Sequence, residues 1–153
     1  MKEIKEDIWL AWGKGKFIVI PTNGFVKNNG ECAMGRGLAL HAKMIFPNLP
    51  KELGLLLKEY GNVVFAFRKY RLLTFPVKHN NPWEKADLEL IEKSAKQLEE
   101  IFHYNLSGIP IPVYLPRVGC GNGKLEWKDV KPILEKYLDE KFVICDLNVE
   151  NLL

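Results

Sequence analysis

Ile111-Pro112-Val113-Tyr114-Leu115-Pro116-Arg117-Val118-Gly119-Cys120-Gly121-Asn122-Gly123 carries the chain from a strand-like apolar segment straight into a glycine turn, ahead of a helix-like segment. A glycine turn between strand and helix lets backbone N–H groups point into one small volume, and the helix N-terminus adds partial positive charge. A second glycine turn, Gly35-Arg36-Gly37, also lies between an apolar segment and a helix-like one. One such turn is only a turn. Two together describe a pocket that grips a diphosphate through backbone rather than lysines, as a nucleotide-type ligand requires.

Outward from these turns, Phe17-Ile18-Val19-Ile20 is a continuous apolar run, as expected of a strand covered on both faces. Val63 to Phe67 and Leu72 to Phe75 read as neighbouring strands joined by a short turn at Arg68-Lys69-Tyr70-Arg71. Ile111 to Leu115 and Phe142 to Cys145 read as strands, and Ile8 to Trp12 as an edge strand. Leu88, Ile91, Ala95, Leu98 and Phe102 recur at helical spacing, with Asn81-Pro82-Trp83-Glu84 ahead of them as a capping-box start. Trp127, Val130, Leu134 and Tyr137 mark a further helix. Pro132 predicts that it begins near Lys128 to Lys131, because proline is tolerated only in a first turn. Gly37 to Phe46 and Lys51 to Lys58 are predicted helices stopped by Pro47 and near Gly61. The alternation predicts one α/β domain, 1–153, with a mostly parallel sheet.

The bulk composition narrows the class. An apolar fraction of 47% and a charged fraction of 27% are ordinary for a globular protein. The net charge of +3 comes without a long run of like charge, so nothing reads as a nucleic-acid arm. No apolar stretch approaches the roughly 18 residues of a membrane span, and the first residues are too acidic for a signal peptide. Cys32, Cys120 and Cys145 are odd in number and widely spaced, which argues against a disulfide framework and against a zinc site. A cytoplasmic protein without metal or cofactor is expected.

In open α/β sheets, ligands bind beyond the carboxyl ends of the strands. Pro21-Thr22-Asn23-Gly24, the loop from Asn28 to Gly37, Lys78 with His79, and Pro116 to Gly123 all fall there. A dinucleotide-binding Rossmann turn is excluded. Gly35-Arg36-Gly37-Leu38-Ala39-Leu40 has leucine at the third glycine position and starts well after Ile20.

Taken in order, Asn23, the loop Gly30 to Ala39, Phe75-Pro76-Val77-Lys78 and the segment Leu115 to Trp127 resemble a macro domain. More narrowly, they resemble the branch containing terminal ADP-ribose glycohydrolases and the antitoxins that strip ADP-ribose from DNA. The resemblance implies a three-layer α/β/α fold around a mixed, mostly parallel sheet, binding ADP-ribose or an ADP-ribosylated nucleic acid or protein. It implies a carboxylate at Asp7 and a backbone N–H at Ile8 for adenine, and Asn23 for the distal ribose. Met34, Gly35, Arg36 and Gly37 would wrap the diphosphate from one side. Arg117, Val118, Gly119, Cys120, Gly121, Asn122 and Gly123 would close on it from the other. Lys78 falls on the catalytic lysine, and a monomer is expected.

Each residue also has a plainer reading. Asp7 and Arg36 can be surface charges, and Asn23-Gly24 is a turn dipeptide. Cys120 reads as a small packing residue, His41 and His79 as surface groups, and Trp83 and Trp127 as helix anchors. A solvent lysine titrates near 10.4, so exposing its neutral amine at pH 7 costs roughly 4.6 kcal/mol. For Lys78 to act as a nucleophile, burial or a neighbouring cation must lower that cost. One departure is clear: Gly123 stands where protein-directed glycohydrolases carry an acidic residue. A lysine-dependent cleavage of an ADP-ribosyl bond is therefore expected, with a binding-only reader or a phosphatase on ADP-ribose 1″-phosphate as alternatives.

Overall fold

The protein is described by a computed structural model, and the described residues are 1–104 and 107–146. In chain order the elements are β1 (Lys2–Ile4), α1 (Ile8–Gly13), β2 (Ile18–Asn23), α2 (Gly37–Ile45), α3 (Leu49–Tyr60), β3 (Ala66–Phe67), β4 (Leu72–Lys78), α4 (Leu88–Phe102), β5 (Val113–Pro116), α5 (Trp127–Glu135) and β6 (Phe142–Cys145). The strands form one sheet in the order β1-β6-β5-β2-β4-β3. Every pairing is parallel except β3 with β4. The sheet is therefore mixed and mostly parallel, as the sequence predicts.

Strand alternation divides the core into two halves. Val19, Leu73, Phe75, Val77 and Ile144 face α4 and α5, where they meet Ile91, Ala95, Leu98, Val130 and Leu134. Ile18, Ile20, Leu72 and Cys145 face the other way, onto Ile8, Ala39, Ala42, Leu53 and Leu57 of α1, α2 and α3. Successive side chains of β2 thus serve opposite layers. The result is a three-layer α/β/α sandwich, with β4 buried along its whole length.

Several local expectations are corrected. Ile8 to Trp12 is not an edge strand but most of α1, whose first turn is capped by Asp7 accepting from the Trp9 N–H at 2.9 Å. The edge strand is β1, whose Lys2-Glu3-Ile4 is too short and polar to show a pattern. Only Ala66–Phe67 of the segment from Val63 pairs as a strand, and β5 starts at Val113 rather than Ile111. α4 begins at Leu88 under Asp87, which accepts from the Glu89 N–H, so Asn81 to Glu84 is a separate turn. α5 begins at Trp127 and ends at Glu135, short of Tyr137, so Pro132 lies a turn deeper than expected. Burial of Val130 and Leu134 outweighs the hydrogen bond that proline cannot donate there.

Candidate active site

Four strand ends converge on one cleft of about 560 Å³, within the usual range for small-molecule sites. β2 ends at Asn23 and β4 at Lys78, and a register shift after Thr22 sets these two residues opposite each other. β5 delivers Pro116 and the glycine loop behind it. Asp146, directly beyond β6, also lines the cleft. The rule that ligands bind at strand ends would have found Asp146, since β6 itself was legible. Thr22, within the strand-end group Pro21 to Gly24, lines the cleft as that reading expects, and Pro82, read from the sequence as part of a capping box, lines it as well.

Lys78 is only 9% exposed. Its Nζ donates to the Pro82 carbonyl at 2.8 Å and the Asn122 carbonyl at 3.4 Å. Asn62 Nδ2 donates to the Lys78 carbonyl at 3.0 Å and so fixes the backbone beneath it. Burial lowers the Lys78 pKa from the ordinary lysine value, and the charges of Arg36 and Lys124 push it the same way. A neutral amine has two N–H donors and one lone pair. In that form the two carbonyls would take both donors and leave the lone pair unpaired.

The two glycine loops that flank the cleft are built differently from each other. α2 starts at Gly37 with no side-chain cap and no acidic residue in its first turn, and Gly37, Leu38 and Ala39 line the cleft. Unpaired N–H groups and the positive end of a helix dipole thus face the ligand space. Met34 is buried, while Gly35 and Arg36 are exposed at the cleft rim. On the opposite loop, Gly119 has φ +77°, and a Cβ there would lie 2.8 Å from Ile91 Cδ1. A Cβ on Gly123 would lie 2.4 Å from the Gly119 carbonyl oxygen. These two glycines are required by the loop's own folding. Gly121 alone has open space where its Cβ would be, and it lines the cleft.

The remaining expected ligand residues differ in how they are placed. Ile8 lines the cleft, whereas Asp7 is not among the lining residues and caps α1 instead. Val118 is fully buried in the α4/α5 half of the core, so only its backbone can face a ligand. Asn23 donates from Nδ2 to the Ala33 carbonyl at 3.0 Å and accepts at Oδ1 from the Phe25 N–H at 3.0 Å. It thereby holds the loop that leads to Met34, with one amide N–H still available. Arg117 pairs with Asp146 at 3.0 Å and with Glu3 at 3.5 Å, while Glu3 also accepts from Trp127 Nε1 at 3.0 Å. Arg117 is therefore anchored by carboxylates at the rim.

Cysteine chemistry is not supported. Burial pushes the Cys120 thiol up to about 11 and the Cys32 and Cys145 thiols up to about 12. Cys120 is a packing residue of the glycine loop. His79 is an exposed partner of Asp87 at 2.7 Å, while His41 lines the cleft. Trp83 does not anchor a helix: it lines the cleft and is 72% exposed. Among the described residues no group of three or more His, Cys, Asp and Glu could hold a metal ion, and no helix is long and apolar enough to cross a membrane.

No family model matches the chain. It is 24% identical over 141 residues to ADP-ribose glycohydrolase OARD1 of Homo sapiens, covering 91% of this chain and 90% of that protein. In structure it is similar to the macrodomain of Thermus aquaticus DarG, with a TM-score of 0.71, 23% identity and coverage of 95% and 96% of the two chains. It is also similar to Thermosipho africanus DarTG in complex with ADP-ribose, with a TM-score of 0.69 and 22% identity over 88% of this chain and 38% of that one. By fold the chain is a macro domain, and its similarity runs to the branch that holds OARD1 and DarG.

Proposed function

We propose that the cleft binds ADP-ribose and that Lys78 drives hydrolysis of an ADP-ribosyl linkage, releasing ADP-ribose from a nucleic acid or a protein. The observation that carries this reading is Lys78 itself: nearly buried at the end of β4, held by two carbonyls, and placed beside the glycine loop. Similarity to an ADP-ribose glycohydrolase and to DarTG in complex with ADP-ribose supports it.

The diphosphate would lie between the N-terminus of α2 and the loop around Gly121, receiving backbone N–H groups from both. Each charge-assisted bond contributes roughly 1.5–3 kcal/mol before losses, against about 8 kcal/mol for a micromolar ligand. Adenine would sit toward Ile8, Asp7 and Asp146, and the distal ribose toward Asn23. The Lys78 amine then attacks the anomeric carbon C1″. A C–N bond forms, the bond from C1″ to the modified group breaks, and that group leaves with the electron pair. Water completes hydrolysis at C1″, and the C–N electrons return to the amine. No cofactor or metal enters this scheme. A cytoplasmic setting goes with it, since Cys32, Cys120 and Cys145 are all free thiols.

The test is direct. The protein is incubated with ADP-ribosylated DNA, a protein ADP-ribosylated on carboxylates, and O-acetyl-ADP-ribose, and released ADP-ribose is measured. Release from at least one substrate is expected. Tight ADP-ribose binding without release from any of the three would make the chain a reader and return Lys78 to a structural role.

A further inference from the structure

We infer that the Thr22 hydroxyl donates directly to the ligand's distal phosphate, and that this side chain makes the cleft select a diphosphate over a monophosphate. The inference rests on the reading of the cleft as an ADP-ribose site, and it adds a side-chain donor to the backbone N–H groups of the two glycine loops.

Among the described residues the buried polar side chains are Thr22, Thr74, Lys78 and Ser94. Three of them are satisfied within the protein. Thr74 Oγ1 accepts from the Phe65 N–H at 3.0 Å, and Ser94 Oγ donates to the Pro76 carbonyl at 2.7 Å. Lys78 Nζ donates to the Pro82 and Asn122 carbonyls. Thr22 is 6% exposed, yet no hydrogen bond joins its hydroxyl to a described residue. Buried hydroxyls are ordinarily paired, so the exception points to a partner from outside the chain.

The hydroxyl is not sealed into the core. Asn62 Oδ1 is an atom of that kind, buried from solvent and unpaired, and Thr22 Oγ1 is not. Its remaining exposure therefore lies in the cleft that Thr22 lines.

The strand decides which part of the cleft. Ile18 and Ile20 face α1, α2 and α3, and two-residue alternation puts Thr22 on the same side. The register shift falls only after it, between Thr22 and Asn23. On that side α2 begins at Gly37, with no side chain capping its first N–H groups. An uncapped helix start draws an anion, and a phosphate oxygen, which only accepts, suits a hydroxyl with its proton to give. Asn23, the next residue, is placed toward the distal ribose, so the phosphate in reach of Thr22 is the one bonded to that ribose. AMP lacks this phosphate and ADP has it.

Calorimetry on the parent, Thr22→Val and Thr22→Ser with ADP-ribose, ADP and AMP tests the contact. Valine keeps the shape of threonine and suits a strand, and no protein hydrogen bond is lost, so the thermal midpoint should hold. The parent should bind ADP ahead of AMP. Thr22→Val should weaken ADP-ribose and ADP by about 10-fold or more, as for a lost hydrogen bond to a charged group, and leave AMP within about twofold. Thr22→Ser, which keeps the hydroxyl, should stay within a few-fold of the parent for all three. Unchanged ADP-ribose affinity in Thr22→Val overturns the contact. A loss confined to ADP-ribose, or one shared equally by AMP, overturns its assignment to the distal phosphate, and a parent that binds AMP as well as ADP overturns the selectivity. Parent protein that binds none of the three overturns the ADP-ribose reading itself, and this inference with it.

Discussion

The role proposed for Lys78 depends on how its surroundings act on its amine. Burial favours the neutral amine, as do Arg36 and Lys124, while the Pro82 and Asn122 carbonyls orient its protons. In the proposed reaction the neutral form is the nucleophile, so a lowered pKa would bring the rise in activity to lower pH. Taking away one cation reverses part of that. Lys124→Gln should shift the rising limb of kcat/KM to higher pH and lower turnover near neutrality, with the plateau at high pH largely kept. A pH profile of parent and variant checks this; coincident limbs would show that Lys124 does not tune the amine.

At the scale of elements, the loop after β5 divides its glycines by task, and two substitutions separate the tasks. Gly121→Glu places bulk and negative charge in open space, so it should abolish ADP-ribose binding in calorimetry with the thermal midpoint nearly unchanged. Gly119→Ala must adopt φ +77° and push against Ile91, and should cost about 2 kcal/mol or more of stability. A Gly121→Glu variant that binds normally would remove the diphosphate from this loop. A second close approach lies behind the opposite loop. A Cβ on Gly54 of α3 would lie 2.0 Å from the Gly30 carbonyl oxygen, and Cys32 N–H donates to the Pro50 carbonyl of the same helix at 2.9 Å. Gly54→Ala should push the segment from Gly30 to Cys32 off α3, displacing Met34 and Gly35 beyond it. Stability and ADP-ribose affinity should fall together, the latter by about 10-fold, which a backbone move on the order of 1 Å at a binding site commonly costs. Full affinity in the folded variant would show that α3 does not set the loop.

The molecule as a whole is a sheet that collects the ends of β2, β4, β5 and β6 at one rim. That much was legible, because buried parallel strands are continuous apolar runs and glycine turns mark where they stop. Lys78 and Gly119 to Gly123 could be placed from order along the chain alone. What was not legible depends on contacts distant in sequence. Trp9 and Trp12 look strand-forming, yet they belong to a helix started by Asp7 and packed at Trp12 against Phe46. β1 is too short to show periodicity and is set by pairing with β6. That Trp83 anchors no helix became visible only once α4 was seen to begin at Leu88. The central claim concerns one amine at that rim, and the release rate of ADP-ribose by Lys78→Ala, set against its ADP-ribose affinity, tests it most directly. The account predicts turnover lower by about 100-fold or more, comparable to losing a catalytic group, with affinity within a few-fold. Near-parental turnover in folded Lys78→Ala would contradict it.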